Sequence, residues 1–265
     1  MLKDITLGQY FPGDTVVHRL DPRTKLLLVV IYIVALFAAS SWITYALVLL
    51  AVLCCMALGH ISPGNMFKGL KPMLFIIILT AALNVFYTQG TPILPGWKIT
   101  WEGIDRAAKM VLRIMLLITG TFLLTYTTSP IALTDGLEKL LSPLKKWKVP
   151  VHEMTMMMSM ALRFIPTLIE ETDKIMSAQK ARGADFETGS LIQRAKALIP
   201  ILVPLFVSAF RRADDLAVAM ECRCYHGGEG RTRMKVLAFA RRDYIALTLG
   251  VGFLIAVILM RKCGI

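Results

Sequence analysis

Between Leu26 and Leu58 lie 33 consecutive residues without a charge. A lipid-spanning helix needs about 20 mostly apolar residues, because hydrocarbon cannot hydrogen-bond an open backbone. The run is too long for one such helix and short for two, but Ser40-Ser41-Trp42 interrupts it. It reads as a tight hairpin of two helices, from Pro22 to Ala39 and from Trp42 to Leu58. Asp21 can cap the first, and Pro22 suits the first helical position. Further uncharged stretches cover Met73–Trp97, with the helix ending near Gln89-Gly90, Ile114–Thr134 up to a turn at Ser129-Pro130, and Tyr244–Met260. Hydrophobic residues make up 56% of the 265 and charged residues 18%, where soluble chains carry roughly 25% charged. The expected fold is all-α, a polytopic membrane protein with about five transmembrane helices. Three parts are expected: a membrane domain at 1–128, a module of long helices at 129–243, cytoplasmic or interfacial, and a final transmembrane helix at 244–265.

The net charge is +12, and 18 of the 30 basic residues lie between Ser129 and Asp243. Others are Lys3, Arg19, Arg23 and Lys25, then Lys68 and Lys71. Five spans with the N-terminus cytoplasmic place all three groups on one side, as the positive-inside rule asks. Lys109, Arg113 and Arg261-Lys262 strain that orientation. The run Arg231, Arg233, Lys235 with Arg241-Arg242 reads as a topology and lipid-headgroup signal, not a nucleic-acid site.

The region 129–243 is helical in pattern. Ser129-Pro130 and Ser142-Pro143 open short pieces. Pro150 opens a long helix running to Gly183 through Pro166. After a turn at Glu187-Thr188-Gly189, Ser190 caps a second, with Gln193 completing a capping box. That helix runs to Cys224. Neither is a good span: Leu198–Phe210 is only 13 apolar residues, and Val151–Ile169 is broken by His152, Glu153 and Arg163. Both read as lying in or under the interface, the alternative being that one or both are real spans with functional charges. A weak repeat relates them: Asp173, Ala178 and Arg182 recur as Asp214, Ala219 and Arg223, 41 residues on. Each helix thus ends in an arginine between small residues, Ala181-Arg182-Gly183 and Cys222-Arg223-Cys224. Cations there complement the helix dipole, and Gly183 suits a left-handed cap. An arginine at a rigid helix tip can also bind carboxylates of a partner in bidentate fashion.

These residues resemble the T component of energy-coupling factor (ECF) transporters, prokaryotic importers of vitamins and some metal ions. His18-Arg19-Leu20-Asp21-Pro22-Arg23-Thr24-Lys25 looks like that family's entry to its first span, and Ala181-Arg182-Gly183 like its first coupling motif. Ala219-Met220-Glu221-Cys222-Arg223-Cys224-Tyr225 looks like the second, usually Ala-Met-Glu-Ala-Arg-Gly-Tyr, with cysteines in place of Ala and Gly around Arg223. The resemblance implies a scaffold in the prokaryotic plasma membrane that is not an enzyme. It would join two cytoplasmic ATPase subunits, a homo- or heterodimer, to a membrane S component that holds the substrate. Arg182 and Arg223, with Ala181, Gly183, Cys222 and Cys224, would dock into the ATPases. No cofactor would bind this chain directly; ATP-Mg would be used by the partners. Consistently, the nearest string to a Walker A loop, Gly64-x4-Gly69-Leu70-Lys71, lacks the Gly-Lys-Ser/Thr that binds phosphate and magnesium.

Met154, Met156, Met157, Met158 and Met160 form a flexible, polarizable segment suited to a surface that must re-pack. It reads equally as an S-component contact or as ordinary packing. Pro72 and Pro166 read equally as hinges or as simple helix ends and kinks. Cys222-x-Cys224-x-His226 lacks the spacing of a structural zinc site. Asp214-Asp215 has no second acidic cluster, so a magnesium-diphosphate enzyme does not fit. A stand-alone secondary transporter is the alternative function, but it calls for ionisable side chains within the spans, and the four uncharged stretches carry none.

Overall fold

A computed structural model describes residues 10–91, 100–186, 188, 190–227 and 237–263. Lys3, Glu187, Gly189 and the run Arg231, Arg233, Lys235 lie outside the described residues. Among those described there are nine α-helices: α1 Pro22–Ala38, α2 Trp42–Gly59, α3 Pro63–Leu70, α4 Leu74–Tyr87, α5 Trp101–Thr127, α6 Pro130–Leu141, α7 Val151–Ala181, α8 Leu191–Glu221 and α9 Arg241–Lys262. They fall into two compact units, residues 10–140 with 237–263, and residues 141–227.

In the first unit α5 is the hub, packed against α1, α2, α3 and α4, while α1 also packs along α9. The core gathers Leu36, Tyr45, Val48, Val52, Leu116, Tyr126 and Val257. Outward faces stay apolar: Phe75 on α4 is 74% exposed and Leu249 on α9 is 69%. Such surfaces belong in lipid. By length and composition α2, α5, α8 and α9 can each cross a membrane, and Lys71–Tyr87 is a shorter apolar helix. The 17 residues of α1 reach about 25 Å at 1.5 Å per residue, the low end for a span.

The α1–α2 hairpin breaks where the sequence places it. The Asp21 carboxylate accepts the Arg23 N–H at 2.9 Å, and Ser41 and Thr44 form a capping box at the start of α2. Three features differ from expectation. The segment after α2 contains a helix, α3, joined to α4 by a 3₁₀ turn that holds Pro72. Next, α5 starts at Trp101, well before Ile114, capped by Thr100. It tolerates Lys109 and Arg113 because both are partnered. Lys109 pairs with Asp105 at 2.7 Å, and Arg113 donates to the Tyr45 hydroxyl at 2.8 Å and the Ala39 carbonyl at 3.1 Å. Arg113 thereby caps the negative end of the α1 dipole. Finally, α8 is apolar enough to cross a membrane. Its unbroken apolar run is only Leu198–Phe210, but Arg194 and Lys196 near its start can snorkel without breaking an apolar helix.

The α1–α5 contact depends on a glycine. The Tyr32 ring lies where a Gly120 side chain would stand, and its hydroxyl donates to the Leu116 carbonyl at 2.7 Å. The ring is pinned and cannot swing away. Gly120→Val should therefore cost about 2 kcal/mol or more, read as a lower melting temperature in detergent, with Gly120→Ala milder.

Candidate functional site

The second unit consists of α7, α8 and the 3₁₀ turn Ser142–Trp147. The α7 helix opens after Pro150 with Glu153 in its first turn. The α8 helix opens on the Ser190–Gln193 capping box, with the Ser190 N–H donating to Gln193 Oε1 at 2.9 Å. Pro166 lies inside α7, and Pro200 and Pro204 inside α8, without ending either helix.

The two arginine ends close in the same way. At the end of α7, Gly183 is left-handed with φ +87°. Its N–H donates to the Lys180 carbonyl at 3.0 Å, and the Ala184 N–H donates to Gln179 at 3.0 Å. These are the two bonds of a Schellman motif. At the end of α8, Cys224 is left-handed with φ +53°. Its N–H donates to Glu221 at 2.8 Å, and the Tyr225 N–H donates to Met220 at 3.1 Å. Arg182 and Arg223 each immediately precede the left-handed residue, so the two tips present their arginines alike. Cysteine in the glycine position keeps the geometry but places a Cβ in a conformation that costs about 1 kcal/mol. Cys224→Gly should accordingly raise the stability of this helix end by about that amount. Amide exchange at Cys224 and Tyr225 would measure it, with no change expected at Arg182.

Arg182, Arg223, Ala181, Gly183, Cys222 and Cys224 are all exposed, and both cysteines are free. Among the described residues neither arginine has a side-chain hydrogen bond or ion pair. A guanidinium held at a helix end with its donors open can form bidentate bonds to a carboxylate.

The structure brings two further residues together that the sequence reading did not single out. Glu171 on α7 and Arg212 on α8 form an ion pair at 2.7 Å, their side chains 25% and 29% exposed. The Arg212 guanidinium also lies 6.0 Å from the Phe164 ring. The repeat offset could have flagged them, for 171 and 212 are likewise 41 apart. The helices thus meet at equivalent points of the repeat. Arg182 and Arg223 each stand eleven residues beyond that pair, about 16 Å along each axis. The Tyr225 hydroxyl donates to Met156 Sδ at 3.1 Å. Because 171 meets 212 and 156 meets 225, α7 and α8 run antiparallel. The two tips therefore lie on opposite sides of the ion pair.

The methionines separate into two sets. Met154, Met157 and Met158 are 48%, 62% and 43% exposed. Their spacing of three and four places them on one face of α7. Met156 and Met160 are half-buried, and Met156 takes the Tyr225 contact. The exposed set adjoins no arginine tip in sequence: Met158 precedes Arg182 by 24 residues.

Residues 13–234 match the family model CbiQ, described as cobalt transport protein. The chain is 57% identical over 250 residues to the energy-coupling factor transporter transmembrane protein EcfT of Clostridium kluyveri, covering 93% of each chain. It is 52% identical over 263 residues to that of Ruminiclostridium cellulolyticum, covering 98% of each. It is 48% identical over 246 residues to that of Bacillus subtilis, covering 92% of this chain and 93% of the other.

Proposed function

This chain belongs to the CbiQ family of energy-coupling factor transporter transmembrane proteins, and from that premise we propose that its two arginine tips dock two ATPase subunits and that its exposed methionines receive the substrate-binding S component. The chain is a transporter subunit and not an enzyme. In this reading the partners hydrolyse ATP-Mg, and the closing of the ATPases displaces α7 and α8. That displacement reorients the S component, which releases a vitamin or other micronutrient inside the cell. In this reading the N-terminus and the module at 129–243 face the cytoplasm, with α8 laying its apolar surface in the interface although it is long enough to cross, and residues 1–128 and 244–265 hold the scaffold in the bilayer.

The observation that carries this reading is the pair of matching Schellman ends. A single arginine near a helix C-terminus is explained by the dipole alone. Two exposed arginines in the same closing geometry, at equal distances beyond an ion pair between their helices, are the layout that two like partners require. Pro166, inside a continuous α7, is a point where the backbone ladder lacks one bond and bending is easy. Pro72 sits between two helices, where it permits a change of direction between α3 and α4.

Co-expression with both ATPases and an S component, followed by purification in mild detergent, tests the assembly. Wild type should retain all three partners. Met157→Trp and Met158→Trp should each lower S-component retention about 5- to 100-fold, because bulk on a surface that must re-pack costs roughly 1–3 kcal/mol. ATPase retention should not change. If S-component binding survives both substitutions, the methionine face packs against lipid or protein core and the S component docks elsewhere.

A further inference from the structure

The two arginine tips are alike in closing geometry but reach the methionine face by different routes. From Arg182 the route runs back along α7 through Pro166, where the backbone N–H is missing and the helix ladder lacks one bond. From Arg223 the route is short: Tyr225, two residues on, donates its hydroxyl to Met156 Sδ at 3.1 Å. Met156 is bracketed in sequence by the exposed Met154, Met157 and Met158. Ala184 occupies the place in the first motif that Tyr225 holds in the second, as the matching closing bonds show. A methyl group cannot form the hydrogen bond or the sulfur–aromatic contact that a tyrosine can. The difference is one side chain at a fixed position of the repeat.

We propose that the Tyr225–Met156 contact is a clamp that makes the Arg223 tip and the methionine face of α7 move as one body, so that the two tips are mechanically unequal. Displacement at Arg223 passes to the methionines directly. Displacement at Arg182 reaches them only indirectly, through Pro166 where α7 bends or across the Glu171–Arg212 pair and along α8. The Glu171–Arg212 ion pair, 15 residues from Met156 on α7 and 13 from Tyr225 on α8, closes the other end of the clamped segment. The two contacts together hold antiparallel helices at both ends of about four turns. The inference rests on reading the arginines as ATPase contacts and the methionines as the S-component surface. Tyr225 and Met156 are positioning residues in it and touch no substrate.

The test uses the assembled complex in proteoliposomes, with ATP hydrolysis and uptake of radiolabelled riboflavin through a riboflavin-binding S component recorded together. Tyr225→Ala should keep both ATPases and their hydrolysis while uptake per ATP falls at least about tenfold. Tyr225→Phe, which keeps the ring but removes the hydroxyl that meets the sulfur, should fall between Tyr225→Ala and wild type. Met156→Ala should match Tyr225→Ala, and the double variant should be no worse than either single, since both remove one contact. Unchanged uptake per ATP in Tyr225→Ala, or additive losses in the double variant, overturns the clamp. A second measurement does not depend on those variants folding. With p-benzoylphenylalanine at position 225, photo-crosslinking should capture the α7 peptide containing Met156 equally with and without ATP. Loss of that crosslink in the ATP-bound complex means the contact opens, and the clamp is wrong. Failure of the underlying reading has a separate signature: wild type that binds no ATPase, or S-component binding that ignores Met157→Trp and Met158→Trp.

Discussion

Reversing both arginines, Arg182→Glu with Arg223→Glu, should strip the ATPase subunits from the purified complex and abolish ATP-driven uptake. Each guanidinium is exposed at a helix end closed by the same two backbone bonds. In the proposed complex each enters a groove that supplies carboxylates. Removing one member of a desolvated, hydrogen-bonded charge pair weakens binding on the order of 100-fold, and reversal adds repulsion. The tips lie on opposite sides of the Glu171–Arg212 pair, too far apart to share a partner side chain, so the two losses should multiply. Single reversals should leave weakened, salt-sensitive complexes. The membrane unit should stay folded, because neither arginine has a side-chain partner among the described residues. Arg→Lys is informative beside them. It keeps the charge but loses the planar fork, and should fall between wild type and reversal. Unchanged co-purification in the double reversal would reduce both arginines to dipole caps and remove the main support for the proposed docking.

Much of this architecture is legible in the sequence because lipid imposes one-dimensional rules. Uncharged runs mark α1, α2, α4 and α9, and local caps mark boundaries: Ser41 for α2, Ser190 with Gln193 for α8, Gly183 after α7. These signals act within four residues, so a sequence displays them. What it hides is partnership across the fold. The start of α5 at Trp101 is hidden because Lys109 and Arg113 look like charges that must leave the membrane region. Asp105, Tyr45 and the Ala39 carbonyl satisfy them. The apolar character of α8 is hidden for a related reason, since long basic side chains look like breaks. At the candidate site the arginines were visible as a repeat of identical residues. Glu171 and Arg212 share the same offset but are unlike residues, and a search for identity passes over complementary charge. No local rule places Cys224 in a left-handed conformation. Nothing in spacing joins Tyr225 to Met156, which are 69 residues apart.

Asp243 shows the same limit at its widest, and removing it should be the most damaging single change in the membrane unit. It lies in the first turn of α9 and is 2% exposed. One carboxylate oxygen accepts the Asp21 N–H at 2.8 Å, and the other accepts the Ala240 N–H at 2.8 Å. One side chain thus ties the start of α1 to the start of α9 across 222 residues of sequence. Asp21 in turn holds Arg23 through a 2.8 Å ion pair, and the Arg23 guanidinium lies 3.9 Å from the centre of the Phe239 ring. Burial raises the pKa of the Asp21 carboxyl, but the hydrogen bonds and charge of Arg23 outweigh it and hold the group below the usual carboxylate value. Asp243→Ala leaves the buried Asp21 N–H, and the N–H of the more exposed Ala240, without that acceptor in the seam between α1 and α9. At roughly 1.5–3 kcal/mol for each bond to a charged group the two are worth about 3–6 kcal/mol, and the exposure of Ala240 puts the loss towards the lower end, still much of the stability of an ordinary domain. Asp243→Asn has nearly the same volume, but its amide turns a donor towards one of the two N–H groups. It should therefore sit between Ala and wild type. Thermal unfolding in detergent, with proteolysis to report opening between α1 and α9, measures the order. If Asn matched wild type, the seam would be held by packing of α1 on α9, and the carboxylate would be filling space. If Asn fell below wild type and Ala below Asn, the two backbone bonds would be what fixes where the last helix joins the first.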